Sequence, residues 1–417
     1  MPLRRLIVER LGAQGDGMAP TRDGPVYLPG SAPGDLVEAE VHATRRGPAV
    51  GKWRLITPSP QRADPVCPHY GVCGGCSLQH VDAALYARFL VDKIAAALSQ
   101  QGLTADIADP VISPPHSRRR LIMTARRTGP SLVLGFHQAR SHQLVQLSEC
   151  PVAHPRLMVL VAPLRRLLKP LLSPGEQAGL TLTLTDSGTD LRLDMPAEPD
   201  LAAREALAAF ADTEALAAIS WAVDGVEEPV VRRREPLMRF GPAAVPLPAG
   251  AFVQATEDGE RALTAVVLDS LAGVDKIADL FAGLGTFTFP LAERVPVLAV
   301  EGAASAVMAL QTAARSTPGL KPVEAVHRDL FRRPLLAGEF IKIPAAVIDP
   351  PRAGAKAQCA ELAASKLERV AAVSCNPATF ARDARLLVDG GFSLGPITPV
   401  GQFLWSAHVE LVCLLSR

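Results

Sequence analysis

The sequence Asp-Leu-Phe-Ala-Gly-Leu-Gly-Thr, at residues 279–286, decides the fold of the C-terminal part of this chain. It closes a short apolar strand, and its glycines let the backbone turn sharply into the next helix. From about residue 250 onward, helices alternate with short apolar strands. These strands are predicted over 276–281, 297–300, 345–348 and 370–373. The alternation predicts an α/β domain with a parallel, doubly wound sheet.

The glycine-rich turn also indicates what kind of ligand this sheet binds. Gly283 and Gly285 match the first two glycines of a dinucleotide fingerprint, but Thr288 stands where the third would be, which disfavours a pyrophosphate. An acid just before the glycines, Asp279, suits a cationic ligand such as the sulfonium and amino groups of S-adenosylmethionine. Glu301 ends the next strand, where a carboxylate can bind both ribose hydroxyls. The alternative is a tight turn that binds no ligand.

A second polar motif, Asp-Pro-Pro-Arg at residues 349–352, ends another apolar strand. Its two prolines hold the backbone rigid and extended at the carboxyl edge of the sheet. Open α/β sheets bind ligands at that edge, so Asp349 is a candidate contact to a base or a cofactor. The alternative is a rigid loop with a surface acid.

One cysteine, Cys375, lies between a short apolar run and an Asn-Pro turn. A sharp turn after a buried strand is where an α/β enzyme presents a reactive group, and a thiolate there could attack a carbon that ordinary bases do not activate. The alternative is a buried cysteine that acts as a small hydrophobic residue.

The last candidate in the C-terminal part is Glu410, in an apolar segment that predicts a late strand. A buried carboxylate has a raised pKa and can serve as a base near neutral pH. A structural ion pair is the alternative, and the sequence pattern alone leaves both open.

The N-terminal half is organised differently. Residues 1–60 contain short apolar strands between Gly- and Pro-rich turns, which predicts a five-stranded barrel of the oligonucleotide-binding kind. A helix is predicted over 82–101, ended by Gly102. Residues 111–240 predict a mixed α+β region with a hairpin across 181–193.

The distribution of charge indicates a polyanionic partner. The net charge is +1, yet residues 1–150 carry 17 Lys and Arg against 12 Asp and Glu, and the other residues carry 26 against 30. Between residues 111 and 147 there are six arginines and no acid. Nucleic acid is the expected partner, with a solvated basic surface as the alternative. No apolar run is long enough for a membrane span and the N-terminus lacks signal-peptide features, so we expect no membrane partner and a cytoplasmic location.

Four of the seven cysteines, Cys67, Cys73, Cys76 and Cys150, lie in the front half. Because the cytoplasm keeps thiols reduced, they predict a metal site rather than disulfides. Four such thiols can hold an iron–sulfur cluster or a zinc ion. Their spacing lacks the Cys-x3-Cys-x2-Cys triplet of radical adenosylmethionine enzymes.

Taken together, these residues resemble the RNA (uracil-5-)-methyltransferase family, and within it the iron–sulfur branch that modifies 23S ribosomal RNA. The resemblance spans essentially the whole chain, and Ser-Cys-Asn-Pro at 374–377 with His-Val-Glu at 408–410 is its most specific part. It implies a TRAM domain, an RNA-binding barrel, at 1–60. It further implies an iron–sulfur and central α+β domain at 61–250 and a Rossmann-like methyltransferase domain at 251–417.

The resemblance also implies roles for individual residues. Cys375 would be the nucleophile and Glu410 the general base. The four front cysteines would hold a [4Fe–4S] cluster, with zinc as the alternative. Thr286 and Asp329 each replace an Asn common in the family, and Leu404-Trp405 replaces a Pro-His seen in some relatives. The implied S-adenosylmethionine contacts are Gln254, Phe281, Thr286, Glu301, Asp329 and Asp349.

The activity implied is S-adenosylmethionine-dependent methylation of carbon 5 of a uridine in 23S ribosomal RNA by a monomer. The barrel and the arginine-rich stretch 118–127 would contact phosphates. One alternative is the same chemistry on the T-loop of transfer RNA, which the front cysteines disfavour because that branch usually lacks them. Another is an RNA-binding protein without catalysis, which the intact Cys375, Glu410 and glycine-rich turn disfavour.

Overall fold

The structure, a computed structural model, describes residues 3–45 and 47–417 of the chain. In this part of the chain, two small three-stranded sheets come first, followed by a seven-stranded sheet, a two-stranded hairpin and an eight-stranded sheet. The predicted fold class, an α/β domain preceded by a small barrel and a mixed α+β region, is confirmed. None of the described helices is both long and apolar enough to cross a membrane.

The N-terminal barrel packs two small sheets around one apolar core. Its strands are β1 (Leu3–Ile7), β2 (Arg10–Leu11), β3 (Gly17–Ala19), β4 (Val26–Leu28), β5 (Leu36–Thr44) and β6 (Gly47–Thr57). Five strands were expected, but residues 3–45 and 47–57 form six, because the first strand changes partner midway. The N–H of Val8 donates to Asp35 beside β5 at 3.0 Å, whereas that of Glu9 donates to Met18 in β3 at 2.9 Å.

The helix predicted after the first cysteines is confirmed as α1 (Ala83–Gln100), and Gly102 follows it with a φ of +65°. The buried face of α1 packs in one core with the C-terminal sheet, and β7 (Val111–Ile112) joins the edge of that sheet. The domain assigned to 61–250, which remains a proposal, therefore contains two elements that pack with the C-terminal domain.

The central region is a mainly antiparallel sheet in the order β10-β9-β8-β11-β12-β13-β14, covered by helices. The predicted hairpin is formed by β11 and β12, while β13 runs parallel to β12 after a helical crossover. The elements are β8 (Arg120–Thr128), β9 (Ser131–His137), β10 (Leu144–Gln146), α2 (Pro155–Met158), α3 (Val161–Leu171), β11 (Gln177–Thr185), β12 (Gly188–Asp194), α4 (Leu201–Thr213), β13 (Ala218–Val223) and β14 (Val226–Arg232). The hairpin β15 (Leu237–Phe240) and β16 (Ala243–Pro246) follows.

The C-terminal sheet has the order β19-β18-β17-β20-β21-β23-β22-β7. Its elements are α5 (Glu257–Ser270), β17 (Ile277–Leu280), α6 (Thr288–Ala292), β18 (Val297–Glu301), α7 (Ala304–Ser316), β19 (Val323–His327), a 3-10 turn (Ala337–Phe340), β20 (Ala345–Ile348), α8 (Lys356–Ala364), β21 (Arg369–Ser374), α9 (Pro377–Asp389), β22 (Ser393–Gly401) and β23 (Glu410–Ser416). Strands β17 to β21 are parallel, as predicted.

The expectation of a wholly parallel sheet is wrong at its end, because β23 runs antiparallel to both β21 and β22. Residues 402–409 alone connect β22 to β23, and a parallel crossover needs about a dozen residues or more. The strand order reverses between β17 and β20, which opens a crevice at their carboxyl ends.

The arginine-rich stretch makes several contacts inside the protein, and the expectation that it contacts phosphate is wrong for the buried Arg119. Arg119 pairs with Glu260 of α5 at 2.5 Å, and both side chains are largely buried. Arg120 donates to the carbonyl of Gly250 at 3.1 Å, and Arg127 donates to carbonyls at the end of α3. These arginines join the central sheet to its neighbours.

Candidate active site

The crevice at the strand-order reversal brings two predicted acids together. Asp279 is in β17 and Asp349 directly follows β20, where its N–H donates to the carbonyl of Leu280 at 3.3 Å. Burial, and then the charge of Asp279, raise the pKa of Asp349 to about 7. The edge therefore holds two buried carboxyl groups that repel each other when both are ionised.

Asp279 is fully buried, and its carboxylate is only half satisfied. Oδ2 accepts from the hydroxyl of Thr288 at 2.5 Å, whereas Oδ1 has no hydrogen-bond partner among the described residues. Burial, opposed by the Thr288 bond, raises its pKa to about 7, and the charge of Glu301 adds to the rise. A buried acceptor with a free lone pair fits a cationic ligand.

Two further predicted contacts hold the backbone around this edge. The carboxylate of Glu301 accepts from the N–H of Gly283 at 2.9 Å and from that of Ala303 at 2.7 Å. It thereby ties the glycine-rich turn to the end of β18. Asp329, after β19, accepts from the N–H of Phe331 at 2.9 Å.

Aromatic surface lies beside these carboxylates. Phe281 has a φ of +62°, which is rare for a residue with a side chain and marks local strain at the end of β17. Its ring centroid is 5.3 Å from that of Phe331. The pair forms an apolar wall next to Asp329.

Gln254 completes the group at this edge, and Thr286 does not. Gln254 is 3% exposed, and its Nε2 donates to Oδ2 of Asp349 at 3.3 Å. Thr286 instead lines a separate cavity of about 740 Å³ against the central sheet, together with Arg239 and Glu293. Five of the six predicted cofactor contacts therefore share one edge, while Thr286 faces elsewhere.

Cys375 lies where β21 passes into α9. Asn376 caps the helix by accepting from the N–H of Ala378 at 3.2 Å, and Pro377 begins it. The thiol is half-buried; burial, followed by the charges of Glu410 and Asp349, raises its pKa to about 11. In the free protein the thiol is therefore mainly protonated at neutral pH.

Glu410 is the first residue of β23 and is 3% exposed. Burial, followed by the charge of Asp349, raises its pKa to about 8, although a hydrogen bond from Gln402 and the charge of Arg352 lower it. Its ionisation is thus moved into the range where a carboxyl can take up and release a proton in a neutral solution.

One cavity of about 470 Å³ joins Cys375 and Glu410 to the front of the chain. Arg352 and Phe252 line it too, and the ring of Phe252 is 66% exposed. Arg118 lies in the same lining, with its guanidinium 5.4 Å from the ring centroid of Phe403. The remaining wall contains all four predicted metal cysteines, Cys67, Cys73, Cys76 and Cys150.

The four front thiols are close enough to influence one another. Burial raises the pKa of Cys76 to about 12, and the charges of the other three cysteines add to the rise. Burial likewise raises the pKa of Cys67 and of Cys73, in each case with a contribution from Cys150. Within residues 3–45 and 47–417, no set of three or more His, Cys, Asp or Glu side chains is arranged around a single metal ion.

The connection that leads to Glu410, residues 402–409, is held by the segment that follows the cysteines. The N–H groups of Ser77 and Leu78 both donate to the carbonyl of Trp405 at 2.9 Å. Lys93 donates to the carbonyl of Ala407, and the hydroxyl of Tyr86 to that of Phe403. Trp405 itself has a φ of +58°. Because residues 402–409 lead directly into Glu410, these bonds make the position of Glu410 depend on the N-terminal half of the chain.

Sequence reasoning missed three residues of this site. Gln402 bonds to Gln254, and Lys93 holds the connection before β23. Arg118 was noted only as part of a basic stretch. Their residue types carry no distinctive spacing, so no pattern in the sequence marked them as parts of a site.

Comparisons with known proteins find relatives for the N-terminal barrel and for the whole chain. Residues 4–53 match the TRAM domain family. A protein of Caulobacter vibrioides named an uncharacterized RNA methyltransferase is 43% identical over 100% of both chains. The 23S rRNA (uracil(1939)-C(5))-methyltransferase RlmD of Edwardsiella ictaluri is 33% identical, with 97% of this chain and 94% of that one covered.

The fold has a solved counterpart as well. The tRNA (uracil-54, C5)-methyltransferase of Pyrococcus abyssi, determined in complex with S-adenosyl-L-homocysteine, matches with a TM-score of 0.77 over 99% of both chains at 21% identity. At that identity the likeness concerns the fold. The relatives at 33% and 43% identity extend over nearly the whole chain, and they confirm the resemblance: the chain belongs to the RNA (uracil-5-)-methyltransferase family.

Proposed function

We propose that this enzyme methylates carbon 5 of a uridine in 23S ribosomal RNA, through a covalent bond between Cys375 and carbon 6 of the base. The observation that carries the proposal is that Cys375 and Glu410 line one cavity, next to the acidic edge formed by Asp279 and Asp349. A nucleophile and a general base can therefore both reach a uracil ring that is bound in this cavity.

Cys375 performs the first step. Carbon 5 of uracil is a poor nucleophile, and addition of the thiolate to carbon 6 converts the ring to an enolate whose carbon 5 is nucleophilic. The enolate carbon would then take the methyl group of S-adenosylmethionine, whose bond to the sulfonium sulfur breaks to leave S-adenosylhomocysteine. The half-buried position of the thiol requires the uridine to leave its stack to reach it.

Glu410 performs the second step. It removes the proton from carbon 5, and the electron pair of that C–H bond re-forms the double bond while the C–S bond to Cys375 breaks. The products are 5-methyluridine, S-adenosylhomocysteine, the free Cys375 thiolate and a protonated Glu410, which returns its proton to solvent. The exposed ring of Phe252 at the cavity lining offers a surface on which a base can stack.

The acidic edge suits S-adenosylmethionine, which supplies an electrophilic methyl group on its sulfonium. The unpaired Oδ1 of buried Asp279 can accept from the cationic end of this cofactor. Glu301 and Asp329 retain lone pairs beyond those bound to backbone N–H groups, and Phe281 offers apolar surface to the adenine. Thr286 is the weakest of the proposed contacts, because its side chain faces another cavity.

The four front cysteines fit a [4Fe–4S] cluster better than a zinc ion. Zinc needs four ligand atoms about one point, at about 2.3 Å for sulfur, whereas a cluster binds one thiolate at each of four iron corners. One wall of the cavity contains Cys67, Cys73, Cys76 and Cys150. As thiolates these side chains would repel one another, and a cationic centre bound between them would offset that repulsion. The proposed methyl transfer includes no oxidation or reduction, so the cluster would stabilise the fold or position the RNA.

The cysteines and the RlmD relative support ribosomal RNA over the transfer RNA T-loop as substrate. We further propose that the enzyme acts as a monomer in the cytoplasm, where ribosomal RNA is available. Mass-spectrometric mapping of 5-methyluridine in ribosomal and transfer RNA from a deletion strain tests the substrate. Loss of the methyl group from transfer RNA alone would reject the ribosomal assignment.

The chemistry is tested by Cys375→Ala, with Cys359→Ala, a buried cysteine on α8, as the matched control. We expect the first variant to lose about 10³-fold or more in turnover and the control to retain it. Undiminished 5-methyluridine formation by Cys375→Ala would reject the mechanism. An anaerobic preparation should contain iron and labile sulfide, and stoichiometric zinc in their place would reject the cluster.

A further inference from the structure

Gln402, the first residue of the connection between β22 and β23, is fully buried beside the active site. Its Oε1 accepts from the backbone N–H of Ala255 at 2.9 Å, and its Nε2 donates to Oε1 of Gln254 at 2.7 Å. Gln254 in turn donates from Nε2 to Oδ2 of Asp349 at 3.3 Å. A single relay therefore runs from a backbone N–H to the acidic edge.

The backbone N–H determines the direction of every bond in this relay. An N–H can only donate, so the side chain of Gln402 must turn its oxygen to Ala255 and its NH2 group to Gln254. Gln254 must then offer its oxygen to Gln402 and its own NH2 group to Asp349. Because the pKa of Asp349 is raised to about 7, its carboxyl group can also donate when protonated, so without Gln402 both orientations of the Gln254 amide would be open.

The relay is built into the packing. A Cβ on Gly259, in the first turn of α5, would lie 2.8 Å from the Cβ of Gln402, so glycine leaves the space that Gln402 occupies. The backbone of the partner is also held, because Arg119 donates to the carbonyl of Gln254 at 3.0 Å and its N–H to that of Ala255 at 2.9 Å. Because packing holds Gln402 and Arg119 holds the backbone of Gln254, the side chain of Gln402 imposes one orientation on the Gln254 amide.

We propose that Gln402 is a positioning residue that makes Gln254 a hydrogen-bond donor toward Asp349 and the methyl-donor edge. The inference rests on the proposed function, since it concerns the same cofactor site. Gln402 does this without touching substrate, and it also faces Glu410, so it links the cofactor edge to the general base.

A double-mutant cycle tests the relay. Gln402→Met keeps the length of the side chain and removes its hydrogen bonds with Ala255, Gln254 and Glu410. We expect it to weaken S-adenosylmethionine binding about tenfold by calorimetry, and to have no further effect in a Gln254→Met background, because Gln402 acts through Gln254. Fully additive effects, or unchanged affinity in Gln402→Met, would overturn the inference.

A second variant separates positioning from loss of packing. Gln402→Glu keeps the acceptor for Ala255 but replaces the donor, so the Gln254 amide reverses and turns its oxygen to Asp349. We expect weaker cofactor binding than the wild type and a pH–rate profile displaced to higher pH, because the new carboxylate faces Glu410. A folded variant with wild-type affinity and an unmoved profile would contradict the proposal.

These outcomes are distinguishable from failure of the proposed function. If the wild-type protein binds S-adenosylmethionine but forms no 5-methyluridine, the proposed function is rejected. The double-mutant cycle then still tests the role of Gln402, because it measures cofactor affinity. A wild-type protein that does not bind S-adenosylmethionine overturns both.

Discussion

Replacing Glu410 with glutamine should stop the reaction after methyl transfer. The substitution keeps the shape of a side chain that is 3% exposed and removes its ability to accept the proton from carbon 5. General-base catalysis contributes about 10²–10⁴-fold, so we expect a loss of that size in turnover. Because Cys375 can still add to the ring, the methylated RNA should remain covalently attached to the protein.

The pH dependence of the same step follows from the surroundings of Glu410. Its pKa is raised to about 8, and the base acts only when ionised. About a tenth of the molecules are ionised at pH 7 and about half at pH 8, so elimination should accelerate about fivefold between these values. Ionisation of Cys375, whose pKa is raised to about 11, affects addition but not the decay of an adduct already formed.

The assay is a denaturing gel that separates free from protein-bound labelled RNA, followed by mass spectrometry of the bound nucleotide. Single-turnover decay of the adduct at several pH values isolates elimination in the wild type. Glu324→Gln, the same change on the exposed strand β19, is the matched control and should release product normally. Product release by Glu410→Gln within about threefold of the wild-type rate, or no adduct with Cys375 intact, would refute the assignment.

Three further outcomes follow from the geometry. Asp279→Asn removes the buried charge that faces the cofactor site and should weaken S-adenosylmethionine binding about 10- to 100-fold by calorimetry; unchanged affinity would contradict its role. Lys93→Met deprives the connection before β23 of a donor, so amide hydrogen exchange should quicken in residues 403–409 and not in β11. The folded-state pKa of Glu410 lies above its ordinary value of 4.5, so its contribution to the free energy of unfolding is present below about pH 4.5 and lost as the pH rises through about 8. The fall in melting temperature between pH 5 and pH 8 should therefore be smaller in Glu410→Gln than in the wild type.

Much of the fold was predictable because it depends on local pattern. Strands β17, β18, β20 and β21 follow from apolar runs of four to six residues between helical segments, whereas β19 was not predicted. The exceptions depend on partners that are distant in the chain. The first barrel strand divides because Val8 and Glu9 bond to different sheets, and β23 is antiparallel because its connection to β22 is short.

The candidate site divides in the same way. Cys375 and Asp349 were recognisable because each directly follows an apolar strand in a parallel sheet, whose carboxyl ends meet at one edge. Arg119 was misread because a guanidinium pairs with the acid that the fold brings near it, and that acid is Glu260. Thr286 belongs to the glycine-rich turn, but it lines a cavity shared with the end of β11, a strand that is distant in the sequence.

The amino-acid sequence by itself determined the α/β architecture and the residue types available for chemistry, because strand alternation, turns and motif spacing are properties of neighbouring residues. Only the tertiary structure decided that four front thiols share a cavity with Cys375 and Glu410, and that Gln402 orients Gln254. It also decided the raised pKa values of Asp279, Asp349 and Glu410. Burial and the distance between charges arise when remote segments pack together, and no local pattern in the chain contains them.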